Sequence, residues 1–207
     1  MFQKFKDVFL NSNFLNGKSQ AVKLAYVGMI SAVNIVANAI LEFKTLDVQF
    51  SFTILISIIS GMLLGGILGF VSVFLADLIG YLVSSWGLMY MPWVGLSVAI
   101  MALISGVVFK VGKNTSVNLI IKCGIITLIT FLTCTVLINS LGFYYYNKAM
   151  GFSTAVLDYV SKTFGTEVKF PFYLAYRLIF KGQILNSIFN YALLFLFIPL
   201  VKKLKLA

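Results

Sequence analysis

The stretch FSFTILISIISGMLLGGILGFVSVFLADLIGYLVSS, residues 50–85, decides the fold. It is apolar almost throughout and carries a single charge, Asp77. As one helix it would be about 54 Å long at about 1.5 Å per residue. That is too long for a hydrocarbon layer about 30 Å thick. Gly65-Gly66 interrupts the run, and glycine lets a chain turn at little steric cost. The spacing therefore predicts a short span over 50–63 and a second over 66–85, joined by a tight glycine turn.

Working outward, a spanning helix needs about 20 predominantly apolar residues. Segments 21–41, 93–111, 118–141 and 180–201 meet that requirement. The expected fold is an all-α membrane protein with six transmembrane helices. Composition agrees: the 207 residues are 60% hydrophobic and 11% charged, with mean hydropathy +1.00. A soluble domain carries about 25% charged residues. Twenty phenylalanines and ten tyrosines exceed what a soluble core of this size can cover. Residues 1–20 form an aromatic, polar N-terminal segment, and 21–207 the membrane-embedded domain.

Six spans put both ends on one side. Lys4, Lys6, Lys18, Lys23, Lys110, Lys113, Lys122, Lys202, Lys203 and Lys205 share that side; Lys44, Lys148, Lys162, Lys169, Arg177 and Lys181 fall on the other. The bias predicts both termini in the cytoplasm. Phe2, Phe5, Val8, Phe9 and Leu10 suggest an amphipathic helix on the inner membrane surface. No cleavable signal peptide is expected, because the first twenty residues lack an apolar core of the required length. The net charge of +10 is accounted for by this orientation and by anionic lipid. Nucleic-acid binding is not expected, since no soluble domain carries a basic patch.

The chemistry open to the chain is narrow. It has no histidine, which excludes histidine-based catalysis and His–metal sites. Cys123 and Cys134 lie in one apolar run, too far apart to bridge, and read as small apolar residues. No G-x-x-x-x-G-K-[ST] loop is present, so energy must come from a partner or an ion gradient. An enzyme is not expected, and no cofactor is implied. Asp77 alone sits deep in a span, where an ionised acid costs at least about 2.5–3.5 kcal/mol and so faces protein or water.

Candidate binding groups gather toward the outer side. Trp86, Tyr90 and Trp93 flank the third-to-fourth connection, and Tyr144, Tyr145 and Tyr146 follow the fifth span. Such aromatics form an interfacial belt or the walls of a ring-binding site. Arg177 and Lys181 precede the last span, either snorkelling to headgroups or meeting an anionic substrate. Gln183, Asn186 and Asn190 share the opposite face. Cations and amides can line one cavity only if the helix begins with an irregular turn near Lys181-Gly182.

On the first span, Ala21, Ala25, Gly28, Ala32 and Ala39 fall within roughly 40° of one line, with Asn34 and Asn38 roughly 100–140° away. The flat side offers a docking surface for another helix, and the amide side an interior. Gly69, Ser72, Ala76 and Gly80 make a second small stripe.

Several of these features together resemble the substrate-binding S component of an energy-coupling factor (ECF) vitamin transporter. LADLIGYLVSSWGLMYMPWVGLSVAIMALISGVVFK (75–110) resembles the third and fourth helices of folate-type members, through Asp77, Leu78, Gly80, Tyr81, Pro92, Leu96 and Ser97. Gly28-Met29-Ile30-Ser31-Ala32 is similar to the family's small-x-x-x-small docking motif, and YRLIFKGQILNSIF (176–189) to the start of its sixth helix. Lys181-Gly182 is also similar to riboflavin-type members. The long 142–179 connection and the segment before residue 20 depart from the pattern.

The resemblance implies a bacterial plasma-membrane receptor for folate or a related heterocyclic vitamin. It would bind substrate in an outward cavity between the last three helices and the loops 42–51 and 85–92. The expected contacts are Asn34, Asn38, Asp77, Trp86, Tyr90, Trp93, Tyr145, Arg177, Lys181, Asn186 and Asn190. Ala21, Ala25, Gly28 and Ala32 would dock on a transmembrane coupling subunit driven by two ATPases. A stand-alone secondary carrier would instead show an inverted repeat and several mid-membrane ionisable groups.

Overall fold

The computed structural model describes residues 12–39, 42–45, 48–84, 89–112 and 115–203. Helix α1 (Gln20–Ala39) leads to a hairpin of β1 (Glu42–Thr45) and β2 (Val48–Ser51), paired antiparallel with Glu42 opposite Ser51. Then come α2 (Thr53–Leu64), α3 (Gly66–Ser84) and α4 (Pro92–Lys110). Helix α5 runs unbroken over Ser116–Met150. The short α6 (Thr154–Phe164) and α7 (Phe170–Phe180) follow, and α8 (Gln183–Lys203) closes the bundle.

Five helices, α1, α3, α4, α5 and α8, are long and apolar enough to cross a membrane. Helix α2, with 12 residues, reaches only about 18 Å. It is the short second span expected over 50–63, shortened because β2 takes up the residues to Ser51. The glycine turn is where the sequence puts it: Gly65 has φ 89°. Pro92 opens α4 at a position where its missing N–H costs no hydrogen bond.

Two boundaries differ from expectation. Hydropathy ends the fifth span at 141, yet α5 continues to Met150, and the 142–179 connection holds two further helices. No strong breaker precedes Gly151, which has φ 96°. The last span was placed at 180–201, but α8 starts at Gln183 because Gly182 turns with φ 68°. Pro199 is accommodated inside α8, as transmembrane helices allow.

The centre of the bundle is a backbone contact among α2, α3 and α4. A Cβ at Gly61 would overlap the Ala102 carbonyl, one at Gly106 would overlap the backbone of Gly65-Gly66, and one at Gly69 would lie 2.8 Å from Gly61 Cα. Ser105 Oγ donates to the Ile58 carbonyl at 2.6 Å across the same seam. Small residues driving close approach are the normal glue of membrane helices. The second small stripe therefore serves partly in internal packing.

Helix α1 lies against α3 and α2 through polar contacts. Ser31 and Ser72 hydroxyls meet at 2.7 Å, and Asn34 Nδ2 donates to Ser60 Oγ at 2.7 Å. Its other side is bare: Ala21, Ala25, Gly28 and Ala32 are exposed, and a Cβ at Gly28 would meet nothing within 4 Å. Most of the segment 1–20 falls outside the described residues.

Gly106→Ala should lower the thermal stability of the detergent-purified protein by about 1–3 kcal/mol, because the added methyl has no room. Gly124→Ala, on an exposed face with nothing within 4 Å, should leave it equal or raise it, since alanine favours a helix by about 1 kcal/mol.

Candidate functional site

Three polar groupings lie where sequence reasoning placed candidates. The first is centred on Asp77. Asn38 Nδ2 donates to Asp77 Oδ1 at 3.1 Å, Tyr90 Oη donates to Oδ2 at 3.1 Å, and Thr53 Oγ1 donates to Asn38 Oδ1 at 3.2 Å. Gly95 makes room, since a Cβ there would sit 2.5 Å from Asp77 Oδ2. This network ties α1, α2, α3 and the start of α4 together near the ends of the hairpin and the 85–91 connection. Burial, and then the Asp77 charge, push the Tyr90 hydroxyl up to about 12, so it stays a donor across the physiological range.

The second grouping is an amide clamp on α8. Asn190 Oδ1 accepts from Leu55 N at 3.0 Å, and Asn190 Nδ2 donates to the Ser51 carbonyl at 2.7 Å. Asn186 Oδ1 accepts from Ser51 N at 3.1 Å. The first N–H groups of a helix have no partner within it. Phe52, at the N-cap of α2, supplies no side-chain cap, so Asn190 caps α2 from another helix. Asn186 and Asn190 face inward, and their amides are occupied by the β2–α2 junction.

The third grouping surrounds Arg177. Its Nη1 donates to the Asn139 carbonyl at 3.0 Å, and its guanidinium lies 4.1 Å from the Phe143 ring centroid. Arg177 is 8% exposed. No carboxylate neutralises it among the described residues. Burial pushes the guanidinium down to about 10, so it stays cationic at neutral pH. Trp93, at the start of α4, lies 5.9 Å from Phe143 and 5.7 Å from Tyr146, with its ring against Gly142, where a Cβ would overlap it. Above this, Tyr144, Tyr173 and Tyr176 pack with Phe143, Phe152 and Phe170 into an aromatic roof built by α5, α6 and α7.

Backbone irregularity frames this cluster. Phe131–Asn139 of α5 and Tyr176–Phe180 of α7 are π-helical. Arg177 sits in one π segment and its acceptor, Asn139, ends the other. Such segments occur frequently at functional sites. The irregular turn at Lys181-Gly182 separates Arg177 from α8. Lys181 is exposed, and so is Tyr145 at 63%. Trp86 lies outside the described residues. At the opposite end of the bundle, near Phe109, Leu119 and Val201, a small cavity is lined by apolar side chains.

The sequence over residues 22–202 matches the family of ECF transporter substrate-specific components. The chain belongs to that family. Among solved structures, the crystal structure of FolT bound with folic acid is similar, at 20% identity and a TM-score of 0.51, covering 82% of this chain and 90% of that one. The likeness is one of fold. No curated protein matches the sequence.

In this S component, the sequence marks Arg177 and Trp93 as candidates, while the contact of Arg177 with the Asn139 carbonyl emerges only from the fold. A lone asparagine near the end of a long apolar run was the available signal, because a buried amide must find a partner.

Tyr90→Phe should destabilise the protein by about 1–2 kcal/mol, the scale of a hydrogen bond to a charged group at a half-buried site. The contribution is complete below pH 10 and fades as pH rises through about 12, where the folded-state phenol ionises. Thermal unfolding of wild type and variant at pH 7 and pH 11.5 checks both statements.

Proposed function

We propose that the chain is the vitamin-binding subunit of an ATP-driven uptake transporter in a bacterial plasma membrane. Its ligand is folate or a related anionic heterocycle. It works only when docked on a transmembrane coupling subunit that carries two ATPases. Both termini face the cytoplasm, and the ligand enters from outside.

The observation that carries this reading is the buried Arg177, with no carboxylate against it among the described residues, inside an aromatic cluster. A buried cation is costly unless it is paired, and an anionic ligand would supply the missing charge. Aromatic walls with few fixed polar groups suit a flat heterocycle. The cluster lies at the end of α4 marked by Trp93, opposite Lys110, which the charge bias assigns to the cytoplasm. FolT, bound with folic acid, shares the fold. The chain has no phosphate-binding loop of its own, which supports dependence on ATPase partners.

Docking is assigned to α1. Its Ala21, Ala25, Gly28 and Ala32 stripe is exposed among the described residues, and a stripe of small residues allows another backbone close approach. Asp77 is held by Asn38 and Tyr90, which argues for a positioning role and against a proton-driven carrier.

Uptake into liposomes containing the coupling subunit and ATPases tests the reading. Gly28→Leu and Ala32→Leu should abolish ATP-dependent vitamin uptake yet leave ligand affinity within about twofold, because the stripe is remote from the cluster. Equal loss of binding would contradict it, as would uptake by the chain alone under an ion gradient. Arg177→Ala should weaken an anionic vitamin by about 1.5–3 kcal/mol, measured by calorimetry, through loss of a charged hydrogen bond.

A further inference from the structure

Two buried atoms have no hydrogen-bond partner among the described residues, Trp93 Nε1 and Asn139 Oδ1; Arg177 holds the Asn139 carbonyl, and Arg177 and Trp93 both lie against the Phe143 ring. The other buried atoms of this kind are hydroxyls, on Ser57, Thr127 and Ser187. All three sit on helices, where a hydroxyl can rotate onto the carbonyl one turn back. An indole N–H and an amide oxygen have no such recourse. Buried polar groups in native proteins are almost always satisfied, so each exception needs an explanation.

Both atoms border one turn of α5. Asn139 ends the π segment, and its own carbonyl is held by Arg177. Trp93 is seated on Gly142, one turn further along the helix, and wedged beside Phe143 and Tyr146. Packing thus fixes the indole, and Arg177 fixes the backbone of Asn139. A donor held by packing and an acceptor on a held backbone, among rings that favour a flat partner, suit a complementary edge.

We propose that Asn139 and Trp93 read the edge of the ligand's ring, and that this edge is a lactam: a ring N–H beside a ring C=O. The N–H donates to Asn139 Oδ1, and the C=O accepts from Trp93 Nε1. Arg177 takes the ligand's anionic charge. This rests on the vitamin-binding reading above and adds Asn139 as a specificity-determining residue. A site built to hydrogen-bond a substrate discriminates strongly against an analogue that cannot reciprocate.

Calorimetry on the purified full-length chain tests this with folic acid and with its 4-amino analogue, which replaces the ring C=O with NH₂ and removes the ring N–H. Wild type should bind folic acid at least about 10-fold more tightly than the analogue. Asn139→Ala and Trp93→Phe should each weaken folic acid roughly 10-fold or more. The ligand-free variants should unfold at or above the wild-type temperature, because replacing an unpartnered buried polar atom with an apolar one removes a cost. A purely structural role predicts the opposite. Unchanged folic acid affinity in both variants overturns the inference, as does equal binding of the analogue or a matching loss of ligand-free stability. Failure of wild type to bind folic acid overturns the inference together with the anionic-vitamin reading. Binding by wild type that neither variant alters overturns the inference alone.

Discussion

The bundle depends on a contact that only glycine permits. Where α2 and α3 cross α4, backbone meets backbone at Gly61 on Ala102 and at Gly106 on Gly65-Gly66. Lipid tails are as apolar as leucine, so burying apolar side chains gives membrane helices little reason to associate. Close approach supplies the dispersion and the interhelical hydrogen bonds that replace it. This contact lets a helix as short as α2 occupy the centre of the bundle. It also sets the positions of Thr53, Asp77 and Trp93, which begin or lie on the three helices it joins. The loops and the cluster inherit their geometry from it.

Against that frame the polar groups divide by whether their bonds close within the chain. The Asp77 network and the α8 amide clamp close on protein partners. They fix the hairpin–α2 junction and the Tyr90 segment, and so shape the rim of the outer end. Arg177, Trp93 and Asn139 do not fully close among the described residues: one has no carboxylate against it, and two carry unpartnered buried atoms. Such groups cost free energy in the ligand-free chain, which is the cost that the proposed ligand would offset. The same division separates the two small-residue stripes. The residues around Gly61 and Gly69 are spent on internal packing, while Gly28 faces open space.

Much of the fold was legible because hydropathy and glycine placement are strong signals in a membrane chain. The 65–66 turn, the six-helix plan and the inward face of Asn34 follow from periodicity and from the bilayer's thickness. The end of α5 was not legible. Hydropathy falls after residue 141, but the helix continues because nothing stops it before Gly151. The β1–β2 hairpin has only four residues per strand, too few for alternation to register. The π segments left no mark in the sequence, since tertiary contacts decide them. Of the candidate site, Arg177 and Trp93 are visible in the sequence as a cation and an aromatic near a span end. Asn139 is not, because its unpartnered oxygen shows only in the fold. The irregular turn at Lys181-Gly182 is supplied by Gly182.

The proposal that the aromatic cluster around Arg177 receives an anionic heterocycle is the central claim. Native mass spectrometry of the detergent-solubilised chain, before and after incubation with a vitamin panel, tests it most directly. The account predicts one copy of an anionic heterocyclic vitamin per chain, retained from the cell or taken up from the panel. Detection of lipid alone, with no vitamin retained at any concentration offered, would contradict it.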